Sequence, residues 1–245
     1  MKPFIKLTTT ELKLYFREPV GLFFTLAFPL ILLLIFGSAF GNDPTPMFGG
    51  FGSVDVSVPG YIGLMIGTAG LIGLPIGLAT YRDQGILRRF RAAPVHPLLI
   101  LGAQIVVHLM LVLVGVAMLM IVGKLLFDLQ LPANLVAVIA ATLFAGVAFS
   151  AVSFVIAGLV SSARVAQAVG MALLLPMLFL AGSAMPRETL PEGMQRIGDF
   201  LPLTYVVELI KDLWQGNGWN VTALIVLTAI LGIGLLLSTR TFRWE

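Results

Sequence analysis

Apolar residues in this chain gather into six stretches of roughly 20 residues, and that length constrains the fold more than any other feature. A helix of about 20 residues, rising 1.5 Å per residue, crosses a ~30 Å hydrocarbon layer. The stretches fall at about 21–40, 60–80, 98–123, 133–160, 165–184 and 219–237. They do not alternate polar and apolar, as the lipid-facing strands of a barrel must. Lipid offers the backbone no hydrogen-bond partners, so continuous stretches of this kind read as helices. With 58% hydrophobic and 11% charged residues and a mean hydropathy of +1.02, too little charge remains to cover a soluble domain. The expected fold is an all-α polytopic membrane protein of six transmembrane helices, a single unit over 1–245 with no internal repeat.

The N-terminus has the basic residues of a secretory leader, Lys2, Lys6, Lys13 and Arg17, but the apolar run after them exceeds a typical signal core. It reads as a retained first span. Ahead of it, Thr8 and Glu11 have capping-box spacing, and Leu12, Tyr15 and Phe16 share one face. That predicts an amphipathic helix lying in the membrane interface from about residue 8.

Basic residues set the orientation. With six spans, eleven of the 15 Lys and Arg fall on the side of the termini: Lys2, Lys6, Lys13, Arg17, Arg82, Arg88, Arg89, Arg91, Arg164, Arg240 and Arg243. Lys124, Arg187, Arg196 and Lys211 fall on the other. Both termini are therefore expected in the cytoplasm. The Gly-, Pro- and Ser-rich segment 41–59 reads as an irregular outer loop. Two short outer amphipathic helices are expected between spans five and six. One carries Leu190, Met194, Ile197 and Leu201 at helical spacing; the other carries Leu203, Val207, Ile210 and Trp214.

Several chemistries lack their residues. The six stretches contain no Asp or Glu, the usual mark of an ion or proton pathway. No Gly-x-x-x-x-Gly-Lys-Ser/Thr loop occurs, so this chain is not expected to hold ATP by that route. With two His and no Cys, no metal site is expected. His108 is the one ionisable group well inside a span. With Gln104 it forms an i, i+4 pair, read either as an interhelical hydrogen bond or as a substrate contact. The sequon Asn220-Val221-Thr222 sits at the mouth of span six, too near the membrane for a glycan acceptor.

The inner loop after span two is the most informative stretch. It reads Tyr81-Arg82-Asp83-Gln84-Gly85-Ile86-Leu87-Arg88-Arg89-Phe90-Arg91-Ala92-Ala93-Pro94. Ile86, Leu87 and Phe90 form an apolar stripe flanked by arginines, which suggests a short helix docking on a cytosolic partner. The stretch resembles the signature of ABC-2 type transporter permeases, with Arg82, Asp83, Gly85, Leu87 and Pro94 in its places. Asp83 stands where that family more often has Glu. Arg17-Glu18-Pro19, Phe28-Pro29, Phe36-Gly37 and Phe40-Gly41 resemble the first span of drug-export permeases of the daunorubicin-resistance type. Phe179-Leu180-Ala181-Gly182, Pro186, Pro191 and Leu201-Pro202-Leu203-Thr204-Tyr205 are similar to that family's fifth span and the outer helices after it.

The resemblance implies half of an ATP-driven exporter of drugs, lipids or glycans in a prokaryotic cell membrane. Two permease chains, usually alike, pair with two cytosolic ATPase subunits, which bind the ATP and Mg. It implies no enzymatic activity of this chain and no nucleic-acid partner. The coupling residues would be Arg82, Asp83, Gly85, Ile86, Leu87, Arg88 and Phe90. Spans two and five are expected near the path. Gly63, Gly67, Gly70, Gly73 and Gly77 repeat along span two as either static packing or a path-lining face, with Gln104, Gln167, Ser150 and Ser153 as polar candidates. The competing readings are an ATP-independent channel or carrier, and an intramembrane lipid-acting enzyme built on His108.

Overall fold

The computed structural model describes residues 2–17, 19–86 and 97–241. Among the described residues the regular elements are all helical. Helix α1 spans Lys2–Tyr15. Span one joins α2 (Pro19–Leu22), a π turn (Phe23–Ala27) and α3 (Phe28–Phe40). Span two joins α4 (Ser53–Thr68), a second π turn (Ala69–Gly73) and α5 (Leu74–Asp83). Spans three, four and five are α6 (Pro97–Phe127), α7 (Leu135–Leu159) and α8 (Ala163–Leu180). Helices α9 (Glu192–Gly198) and α10 (Pro202–Gln215) follow, and α11 (Val221–Thr241) is span six. Six of these helical runs are long and apolar enough to cross a membrane, as expected of a multi-pass protein.

Span two is the hub. Of its most apolar window 83% is buried inside the chain, against 22% for span one and 17% for span six. Helices α3, α6, α7, α8 and α10 all pack against it. Lipid is as apolar as leucine, so association here rests on close packing, which small residues permit. Span two accordingly carries glycines at 60, 63, 67, 70, 73 and 77 among its larger buried side chains. Span six lies at the edge on α7, where a Cβ at Gly234 would stand 2.8 Å from Ala151 Cβ.

Both π turns precede a proline, at Phe28-Pro29 and Leu74-Pro75. In the second, Leu74 N–H reaches back five residues to Ala69 O. The next such donor would be residue 75, but proline has none. The Gly70 carbonyl left open is met from outside the helix by the Ser153 hydroxyl of α7. The neighbouring Leu71 carbonyl faces Gly170 of α8, where a Cβ would sit 2.2 Å from the oxygen. The irregular turn is thus a place where both spans four and five touch the backbone of span two.

The structure corrects several expectations. Span two begins at Ser53, not near residue 60, so residues 53–59 are helix, buried from Val54 on, rather than loop, and Pro59 lies inside it. Asp55 is therefore an acid within that helix, 1% exposed. The cap that starts the helix comes from Asn42, a non-local contact that local composition does not reveal. Helix α1 starts at Lys2, and Thr8 Oγ1 donates to Phe4 O within it, so Thr8 is no N-cap. Leu12 and Tyr15 pack on Val107 and Leu111 of α6, whereas Phe16, past the helix end, is exposed. Both helices between spans five and six are present. Leu203, Val207, Ile210 and Trp214 of α10 are buried, but Met194 and Ile197 of α9 are exposed.

Candidate functional site at the inner end of the second span

Helix α5 ends in Arg82-Asp83, Gln84 caps it, and Gly85 turns away at φ 67°, a left-handed position that favours glycine. The two charged side chains reach the turn between spans four and five. Arg82 Nη1 donates to Ala157 O at 3.1 Å, and Nη2 donates to Val160 O. Asp83 Oδ2 accepts from Ala163 N at 3.2 Å. A helix leaves its last carbonyls and first N–H groups unpaired, partly negative and partly positive respectively. Arg82 therefore meets the C-terminal end of α7 and Asp83 the N-terminal end of α8, each with the matching sign. Ser162 completes the second cap, accepting from Val165 N. Tyr81 OH donates to Glu11 Oε1 at 2.7 Å, tying α1 to the same end.

Of the expected coupling residues, Arg82, Asp83, Gly85 and Ile86 lie at this end of span two. Leu87, Arg88 and Phe90, with Arg89, Arg91 and Pro94, lie outside the described residues.

The expected path residues divide. Added Cβ atoms would meet Val207 of α10 from Gly63, Leu174 of α8 and Leu203 of α10 from Gly67, and Phe149 of α7 from Gly70. Each glycine admits a different neighbour of the same chain. Gly73, Gly77 and Gln104 instead converge with His108, Tyr15 and Tyr81 around a cavity of about 50 Å³ between α1, α5 and α6. His108 Nδ1 donates to Gln104 O at 2.9 Å, since a carbonyl can only accept. Its Nε2 faces Gly73 and has no hydroxyl partner among the described residues, so no Ser–His pair is assembled there. Gln167 stands apart, exposed on α8 beside Asp83 and Arg164. Ser150 Oγ bonds Gly146 O within its own helix, and Ser153 is committed to the π turn.

Two clusters at the other end of span two escaped the sequence reading. Asp55 Oδ1 accepts from Asn42 Nδ2 (3.1 Å) and Gln130 N (2.8 Å), and Oδ2 from Gly52 N (3.0 Å). Asn42 Oδ1 caps α4 by accepting from Val54 N and Asp55 N, while its Nδ2 also reaches Phe127 O. An acid three residues after Gly52 was the available signal, half of a capping box. Beside α9 and α10, Arg187 pairs with Asp199 and Glu208, and Lys211 with Glu188. Burial pushes the Glu208 carboxyl above its usual range; Arg187 opposes the shift, and Asp199 and Asp212 add to it. Asn220 of the sequon caps α11 through Ala223 N and bonds Asp212, which accounts for its presence.

Comparison with known proteins decides the family. Residues 3–213 match the model of the ABC-2 type transporter family. The chain belongs to that family. It is 26% identical over 234 residues to the daunorubicin resistance ABC transporter permease protein DrrB1 of Streptomyces coeruleorubidus, covering 92% of this chain and 80% of that one. It is 25% identical over 220 residues to the putative transport permease ycf38 of Porphyra purpurea, covering 86% and 73%. The chain is thus a membrane transport subunit. Within this ABC-2 permease the signature stretch has local physical roles: Arg82 and Asp83 cap two helix ends and Gly85 stops a third.

Proposed function

We propose that this chain is the membrane-spanning half of an ATP-driven exporter. Two copies pair with two cytosolic ATPase subunits that hold ATP and Mg, and the assembly moves an amphiphilic drug-like, lipid or glycan molecule outward across a prokaryotic cell membrane. Both termini lie in the cytoplasm and α1 lies along the inner interface. The observation that best supports this reading is the Arg82-Asp83 end of span two, where the most buried helix of the bundle is clamped immediately before the basic stretch 86–96 of the sequence. A push on that stretch reaches the centre of the bundle through one helix. The acid in span two, Asp55, accepts from three protein donors, a structural use of its carboxylate.

The test is purification of the tagged chain from its own host in mild detergent. A polypeptide with a Walker loop should accompany it, and the reconstituted complex should hydrolyse ATP and translocate a fluorescent phospholipid analogue. Recovery of the chain alone, with translocation unaffected by ATP depletion, favours the ATP-independent carrier.

A further inference from the structure

We infer that Arg82 and Asp83 are positioning residues that lock this end of span two to the turn between spans four and five, so that these three spans move as one body. The inference rests on the ATP-coupled reading above and gives two of its signature residues a role inside the chain. Both Arg82 Nη nitrogens are occupied by main-chain carbonyls at the end of α7, and Asp83 accepts the first N–H of α8. These partners are backbone atoms 75 to 80 positions away in sequence. The pair sits where it can transmit: Gly85 ends the helix immediately after it. Higher up the same helix, Ser153 and Gly170 join the same two spans to the backbone of span two. Attachment at two levels makes α5, α7 and α8 resist relative rotation, which a single contact does not.

The chain has no cysteine, so a single reporter thiol can be placed cleanly. Ala168, exposed on α8 one turn beyond the clamp, is changed to Cys. Its labelling by a membrane-permeant maleimide is followed in the complete complex, nucleotide-free and then trapped with ATP and orthovanadate. The rate should differ between the two states when the clamp is intact. Arg82→Gln and Asp83→Ala should each shrink that difference up to about fivefold, the factor expected on removing a charge from an accessible helix end. ATPase co-purification and ATP hydrolysis should persist. Asp83→Glu should keep the response, while Arg82→Lys should keep only part, because an ammonium lacks the fork that spans two carbonyls. An undiminished response in Arg82→Gln or Asp83→Ala overturns the inference. Loss of the ATPase from either variant does so too, since the side chain would then meet the partner directly. Should Arg82→Gln fail to accumulate, the exposed Asp83 variants decide alone. Absence of any ATPase or nucleotide response in the native complex defeats the ATP-coupled reading itself, and this inference with it.

Discussion

The two ends of span two are fastened by the same kind of chemistry in opposite settings. At the Ser53 end a buried carboxylate, Asp55, holds the chain leaving span one and the chain leaving span three. At the Arg82 end a half-exposed arginine and an exposed aspartate hold spans four and five. Asp55 in the first knot is buried; the second knot is open to solvent and immediately precedes the basic stretch 86–96 in the sequence. One helix thus belongs to the first group of spans at its top and to the second group at its foot. Between them lie the π turn and Pro75, where its own hydrogen-bond ladder is thinnest.

Breaking the Asp55 knot should have the largest effect on stability. Asp55→Ala leaves Gln130 N, Gly52 N and a share of Asn42 Nδ2 without an acceptor in a buried site, at about 3 kcal/mol or more. Asp55→Asn keeps one acceptor oxygen and should lose less. Thermal unfolding of the purified chain in detergent reads both; an unchanged midpoint for Asp55→Ala would remove the distinction between the ends. The Arg82-Asp83 clamp should show the opposite balance. Arg82→Gln is expected to cost only about 1 kcal/mol in the same assay, because caps at solvent-accessible helix ends are weak.

The glycine stripe sharpens the comparison along the helix. Gly70→Ala would place a Cβ 2.8 Å from Phe149 Cβ, with no flexible side-chain end to yield, and should cost about 1–3 kcal/mol. At Gly77 the nearest atom to an added Cβ is Gln104 Nε2 at 3.8 Å. Gly77→Ala should therefore be neutral or stabilise by up to about 1 kcal/mol through helix propensity. Equal losses at both positions would mean that the stripe packs uniformly, against the geometry seen here.

These contrasts also mark where the sequence was readable. Length and apolarity of the spans carried their existence, because crossing lipid as a helix imposes both on the chain itself. The start of span two was not readable: residues 53–59, with Pro59 and two serines, look like a loop, and the cap that makes them helical comes from Asn42. The clamp was hidden for a related reason. Arg82 and Asp83 were visible as charges on the inner side, but their partners are main-chain atoms of Ala157, Val160 and Ala163, which have no side-chain signature. Periodicity also assumed that the glycines share a face; the π turn changes the register after Gly67, so that Gly63 and Gly67 face α10 whereas Gly70 faces α7 and Gly73 faces α6.

The smallest predicted effect tests the Glu208 cluster without touching span two. Glu208, on α10, has its carboxyl raised chiefly by burial, against the pull of Arg187. A raised carboxyl binds more protons folded than unfolded in the interval between its unfolded value, near 4.3, and its folded one. Stability from this group is therefore complete below about pH 4.3 and declines as pH rises through the folded value, levelling beyond it. Glu208→Gln, uncharged at every pH, should flatten that decline in a plot of unfolding midpoint against pH. It should leave the Asp55 contribution intact, since the two clusters share no hydrogen bond among the described residues. A mutant curve parallel to the native one would show that the Arg187 pairing offsets burial and leaves this carboxyl unshifted, while a native curve that rises with pH and flattens in the mutant would show that the pairing outweighs burial.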